Sequence, residues 1–281
     1  MKSSGPSRTA MRVALRRAAH QLLDEPKVLD DPLAIRIIGD AVGEIRAGTA
    51  RHQSRVGRHF RAFLVARSRY AEDQLAASVA RGVDQYVVLG AGLDTSAFRG
   101  MAAGVRLFEV DHPNTQAWKI KALEAASIAI PPALSFVPVN FERQELATEL
   151  RVAGFQLNRA AFFSWLGVVP YLTKEAAAQT FGFIGSLPSG SGVVFDYAIS
   201  PSALGLKERL ALAALSARVA MAGEPFRLYF APEELEKFLR GLGFRRIDQL
   251  GSQEINAKYF AGRGDGLKVA GSAGRIVGAW V

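Results

Sequence analysis

The chain has 281 residues, 49% hydrophobic and 22% charged, with a net charge of +9 and no cysteine. That is enough chain to bury a substantial core, and the balance is that of a folded rather than a disordered protein. Disulfides, thiolate metal sites and a cysteine nucleophile are excluded, and no run approaches the roughly 20 apolar residues of a membrane span.

The charge is uneven, because fifteen Lys/Arg and only eight Asp/Glu fall within residues 1–81. Such a basic half attracts acidic small molecules, nucleic acid or anionic lipid, or is the solvated face of a helical layer. Residues 7–23 carry Ala10, Val13, Ala14 and Ala18 on one side and arginines opposite, which predicts an amphipathic helix of the fold rather than a targeting segment. A cytoplasmic protein is expected. "DDPLAIRIIG" (30–39) reads as a second helix, opened by Asp-Pro and stopped by Gly39. Residues 40–58 show no clear pattern, and a long helix is predicted from about 59 to 81, ended by Gly82.

After Gly82 the rhythm changes. "QYVVLG" (85–90), "VRLFEVD" (105–111), "LSFVPV" (134–139), "AFFSWL" (161–166) and "GVVFDY" (192–197) are short β-branched or aromatic runs, most of them separated by helical stretches. Near-continuous apolar strands alternating with helices predict a doubly wound α/β fold on a mainly parallel sheet. A helix over "APEELEKFLRGLG" (231–243) leads to two late strand-like runs, "FRRIDQL" and "AGRIVGAWV", with no helix expected between them, so that they pair antiparallel. The chain reads as a single domain over 1–281, with 1–82 a helical cover and 83–281 the α/β core.

Ligands of such sheets bind outside the carboxyl ends of the strands, which draws attention to the first βα loop, Gly90-Ala91-Gly92-Leu93-Asp94-Thr95. Its glycines permit a sharp turn and a close ligand. Asp111 ends the next strand 21 residues past Gly90, the distance at which an acid bonds the ribose hydroxyls of an adenosine. The alternative is a plain strand-to-helix turn in which Asp111 caps the helix after His112-Pro113. A dinucleotide loop wants a third glycine or alanine where this chain has Thr95, and Asp94 faces a pyrophosphate unfavourably. A carboxylate there suits a cationic ligand, so the loop favours S-adenosylmethionine over NAD.

Taken in order, "RSRYAED" (67–73), "VVLGAGLDTSAFR" (87–99), "LFEVDHP" (107–113), "FVPVNF" (136–141), "FFSWLGVVPYLT" (162–173) and "YFAGRGDGL" (259–267) resemble the leucine carboxyl methyltransferase-like class I methyltransferases, especially their bacterial, actinobacterial-type branch. The resemblance implies a Rossmann-like sheet of seven strands, the last antiparallel, with added N-terminal helices over the active site. It implies Gly90 and Gly92 beside the cofactor, where the charge argument also puts Asp94, Asp111 on its ribose, and Arg69, or alternatively Arg67, on its methionine carboxylate. Relatives commonly carry Asp-Phe or Asp-Leu near the adenine, where this chain has Asn140-Phe141; Asn keeps an acceptor for the adenine amino group. Where relatives have an acid after the fourth strand, this chain reads Trp165-Leu166-Gly167, which leaves a shape contact from Trp165.

His20, His52, His59 and His112 are scattered without metal-ligand spacing, and His112 reads as the first residue of a helix rather than a base. A carboxylate acceptor is ionised at neutral pH and needs no general base, whereas a phenol or alcohol usually does. Arg51, Arg55, Arg58, Arg67 and Arg69 either draw in an acidic acceptor or are surface, and Tyr171 either touches the acceptor or packs in the core. The expected activity is O-methylation of a small-molecule carboxylate, with S-adenosylmethionine as cofactor and neither nucleic acid nor membrane as partner. The alternatives are hydroxyl O-methylation in secondary metabolism and a binding-only regulator.

Overall fold

The computed structural model describes residues 8–48, 52–100, 104–140, 144–221 and 225–281. Five parallel strands form the centre: β1 (Gln85–Leu89), β2 (Arg106–Asp111), β3 (Leu134–Pro138), β4 (Phe162–Trp165) and β5 (Gly192–Ile199). With the two-residue β6 (Tyr229–Phe230), β7 (Arg246–Leu250) and β8 (Gly274–Trp280), the order is β3-β2-β1-β4-β5-β8-β7, and β6 pairs with β5. β8 runs antiparallel to both neighbours. The expected seven strands are all present, and the eighth is the short β6. β1, β4 and β5 are buried along their whole length, which is why they read as unbroken apolar runs.

Helices α6 (Leu146–Val152), α7 (Lys174–Gly185) and α9 (Pro232–Gly241) cover one face through a core that includes Phe163, Trp165, Phe181 and Leu239. The other face carries α4 (Arg55–Val79) and α10 (Ser252–Tyr259). On that side α1 (Arg8–Leu23), α2 (Leu33–Ile37), α3 (Val42–Ala47) and α5 (Pro113–Ala125) share a further cluster around Leu93 and Leu123. The last described helix, α8 (Leu206–Ala220), follows β5. Two boundaries differ from the sequence expectation. α4 begins four residues early because Ser54 caps it, its side chain accepting from the Gly57 amide at 3.2 Å. α10 lies between the last two long strands, which pair antiparallel as expected. Among the described residues no helix is long and apolar enough to cross a membrane.

The helical cover is fastened by buried charge. Asp24, at the end of α1, accepts two hydrogen bonds from fully buried Arg61 of α4, at 2.6 and 2.7 Å, and one from His20 Nδ1 at 2.8 Å. His20 Nε2 in turn accepts from the Val28 and Leu29 amides. Burial opposes its ionisation, yet the bonds from Arg61 and His20 hold the Asp24 carboxyl at about 2. A carboxyl more acidic folded than its ordinary 3.8 stabilises the fold by roughly 2 kcal/mol above about pH 4 and loses that contribution as the pH falls toward 2. Melting curves of wild type and Asp24→Asn should therefore differ at neutral pH and converge in acid; a gap that persists in acid would contradict this.

Candidate active site

The strand order reverses between β1 and β4, which opens a crevice at their carboxyl ends. Gly90 and Gly92 turn the chain there with φ of +69° and +47°, the left-handed region that favours glycine. Space is as restrictive as conformation. A Cβ on Gly90 would stand 2.4 Å from Val168 Cγ2 in the loop after β4, and one on Gly92 would stand 3.1 Å from the Ala10 methyl of α1. The loop is thus closely backed by β4's loop and by the first helix; contact as well as conformation excludes a side chain at Gly90, and at Gly92 the approach is tight.

Asp111 stands at the tip of β2, facing this loop. One carboxylate oxygen accepts from the Gly92 amide at 2.6 Å and the other from the His112 amide at 2.7 Å. Burial pushes its carboxyl up, while these two donors and Lys119 push back. Each oxygen keeps a further lone pair, so the group can still accept from two hydroxyls. His112 is the cap of α5, its Nδ1 accepting from the Asn114 amide at 3.3 Å. Asp111 therefore braces the turn and remains able to take a diol.

Asp94 and Thr95 are engaged within the fold. The Asp94 carboxylate pairs with Arg17 of α1 at 2.9 Å and accepts from the Ser96 amide and hydroxyl at 2.7 and 2.5 Å. Thr95 donates to Asp31 at 2.6 Å and accepts from Arg17, which itself pairs with Asp31 at 2.5 Å. Arg99 adds ion pairs to Glu72 and Asp31. Burial would raise Asp94; Arg17 and Lys119 prevail, and its carboxyl sits well below the usual range. This knot ties the loop to the helical cover, and the sequence reading missed it because Arg17 and Asp94 are 77 residues apart.

The two arginines of "RSRYAED" face opposite ways. Arg67 is 7% exposed and donates to Asp196 of β5 at 2.8 Å, and Asp196 also accepts from the Gly167 amide at 2.6 Å. A Cβ on Gly167 would stand 2.8 Å from an Arg67 nitrogen, so the guanidinium lies directly against the loop after β4. Arg69 is 47% exposed and pairs with Asp73 at 2.7 Å, with a longer bond to the Val28 carbonyl. It lines a separate cleft of about 630 Å³ with Leu33, Phe98 and Arg99. Among the described residues, buried polar atoms without a hydrogen-bond partner include Arg67 Nε, Arg17 Nε and the hydroxyl of Thr9, whose neighbour Ala10 backs Gly92.

The other candidates divide. Asn140 follows β3 next to Asp111, since the intervening Val139 amide donates to the Asp111 carbonyl at 2.9 Å. Phe141 lies outside the described residues, as does Arg51. Trp165 is fully buried on the α7 side of β4, edge-on to Phe181 at 4.9 Å, so its ring is core. Tyr171, half-buried in a turn after β4, packs on Phe226 at 5.2 Å. The basic stretch is not one face: Arg55 is exposed, Arg58 donates to the Asp265 carbonyl, and Arg61 and Arg67 are buried in ion pairs. Among the described residues no group of His, Asp and Glu is arranged to hold a metal ion.

Strand order, a glycine cradle at the switch point, an acid on the tip of β2 and a reversed penultimate strand in the sheet together define a class I methyltransferase. The profile of the leucine carboxyl methyltransferase family matches residues 10–185, and the chain belongs to that family. It is 33% identical over 293 residues, covering 95% of each chain, to YktD of Bacillus subtilis (strain 168), assigned by name to the S-adenosyl-L-methionine-dependent methyltransferases. A Saccharopolyspora erythraea protein assigned to the same class is 32% identical, over 72% of this chain and 71% of its own. A solved structure from Thermobifida fusca YX, described as a methyltransferase, superposes with a TM-score of 0.60 at 14% identity, covering 99% of this chain and 96% of its own. The protein is an S-adenosylmethionine-dependent methyltransferase.

Proposed function

We propose that the reaction is O-methylation of a small-molecule carboxylate, with the cofactor held by Gly90, Gly92, Asp111 and Arg67. The glycine cradle fits a ligand that must approach the backbone. The two free acceptor sites of Asp111 fit a ribose diol, and the unpartnered Nε of Arg67 fits an amino-acid carboxylate. Asn140 stands beside Asp111, and we assign its side-chain carbonyl to the adenine amino group, while Asp94 supports the loop through Arg17. When bound, S-adenosylmethionine supplies a methyl carbon activated by its sulfonium. What the chain must add is alignment of the acceptor with that carbon and exclusion of water, effects that contribute roughly 7–11 kcal/mol in well-oriented systems.

The observation that carries the choice of a carboxylate is the commitment of the histidines. His20 is locked to Asp24 and two amides, His59 bonds the Lys268 carbonyl at 2.8 Å, His112 caps α5, and His52 precedes α4 beside Gly48. None of these contacts is to β4, β5 or the loops that follow them, the side from which we expect an acceptor to approach. An acceptor already ionised needs no such base, and the carboxyl chemistry in the family's name supports the same choice. Tyr171 and Phe226 offer an aromatic wall for the acceptor's body. Incubation with methyl-labelled S-adenosylmethionine and matched panels of carboxylic acids and phenols tests the reading. Label should enter the acids and be released as methanol by mild alkali; alkali-stable methyl ethers as the sole products would overturn it.

A further inference from the structure

We infer that Lys119 is a positioning residue for cofactor binding, its buried ammonium, seated on Glu109, serving as the shared counter-charge of the carboxylates around the Gly90–Gly92 loop, Asp111 above all. The inference rests on the reading that Asp111 takes the cofactor's ribose.

Glu109 and Asp111 are two residues apart on β2, so their side chains leave the same face of the sheet. Glu109 lies between Val88 of β1 and Phe136 of β3, an apolar bed in which its side chain is 1% exposed. α5 starts directly after Asp111 and returns over this face. Gln116 donates to the Glu109 carbonyl at 3.1 Å. One turn on, Lys119 Nζ donates to Glu109 Oε1 at 2.7 Å and stands 2.6 Å from Oε2. The ammonium, itself 1% exposed, also sits 5.1 Å from the centre of the Phe98 ring, in the turn that follows Asp94 and Thr95. A single buried cation is thus enclosed by β2, the cofactor loop's own turn and α5.

A buried ion pair is poor value for stability, because well-packed neutral residues of similar volume serve as well or better. The surrounding charges supply another reason for it. The loop contributes Asp94, already paired with Arg17 from α1. β2 contributes Glu109 and Asp111, α5 contributes His112 and Lys119, and β1 and β3 present only Val88 and Phe136 beside Glu109. Lys119 favours the ionised form of both Asp94 and Asp111. Burial pushes Glu109 up to about 7 against the pull of Lys119. A proton taken up near neutrality therefore goes to Glu109 and leaves the ammonium facing the two loop acids. The pair lets Asp111 stay ionised at the edge of the core.

Calorimetric titration of S-adenosylhomocysteine at about pH 6 and about pH 8.5 tests this. The double variant Lys119→Met/Glu109→Gln replaces the pair by neutral side chains of similar size. It should bind more weakly than wild type, by about tenfold or more at the lower pH and by less at the higher, because Asp111 then has to ionise without its cation. Wild type and Lys119→Arg should change by less than about threefold between the two. Wild-type affinity in the double variant at the lower pH, or a loss equal at both, would overturn the inference. If the double variant does not fold, Glu109→Gln alone decides. It keeps the ammonium and should bind within about threefold of wild type at the lower pH, whereas a loss as large as that of Asp111→Asn overturns the role. Asp111→Asn also separates the two levels. Undiminished binding there removes the ribose reading itself, while a loss there without one in the double variant removes only Lys119.

Discussion

Asp111→Ala is expected to weaken S-adenosylhomocysteine binding by at least about 100-fold. Hydrogen bonds to a charged partner contribute about 1.5–3 kcal/mol each, and two are lost together, against about 1.4 kcal/mol per decade of affinity. The loss is compounded within the protein. The same carboxylate fixes the Gly92 and His112 amides at 2.6 and 2.7 Å, so its removal frees the loop and the first turn of α5 at once. Asp111→Asn should fall between Ala and wild type, because its carbonyl can serve one amide while its NH2 group meets the other donor to donor. Titration calorimetry reads this directly, and the thermal stabilisation by saturating ligand should shrink in parallel. A dissociation constant for Asp111→Ala within threefold of wild type would remove Asp111 from the site.

How much of this was legible in the sequence depended on distance along the chain. β1, β4 and β5 announced themselves because burial on both faces demands unbroken apolar runs. Gly90, Gly92 and Asp111 stand out as candidates because one βαβ unit carries them at fixed spacing. What stayed hidden was long-range charge. Asp94 reads as an acid awaiting a cationic ligand, until Arg17 from another layer is found 2.9 Å away. Trp165 carries a local signal of its own: in a strand it shares the face of Phe163, which is core. The signal separating Arg67 from Arg69 was also present. Arg69 has Glu72 and Asp73 three and four residues on, the mark of a solvent-side helix pair, whereas the same positions around Arg67 hold Phe63, Leu64, Tyr70 and Ala71. An arginine set in an apolar stripe is going somewhere specific.

Arg67→Met should therefore have the second large effect, and Arg69→Met almost none. Removing the Arg67 guanidinium leaves Asp196, 8% exposed, with the Gly167 amide as its one hydrogen-bond donor among the described residues. Breaking a buried pair from one side typically costs about 3–5 kcal/mol. It also frees the loop after β4, which carries Val168 against Gly90, so the cradle loses its backing as well as a cation. Arg69 pairs with Asp73 at the surface, where an ion pair contributes about 0–1 kcal/mol, and its side chain is 47% exposed. Arg67→Lys makes the test more specific. It keeps the charge but not the planar fork, so it should retain most of the stability while raising the KM for S-adenosylmethionine about tenfold or more, with a smaller change in kcat. Urea unfolding and steady-state kinetics on the three variants suffice. If Arg69→Met proves the damaging change and Arg67→Met the silent one, the carboxylate-binding arginine has been put on the wrong face of α4.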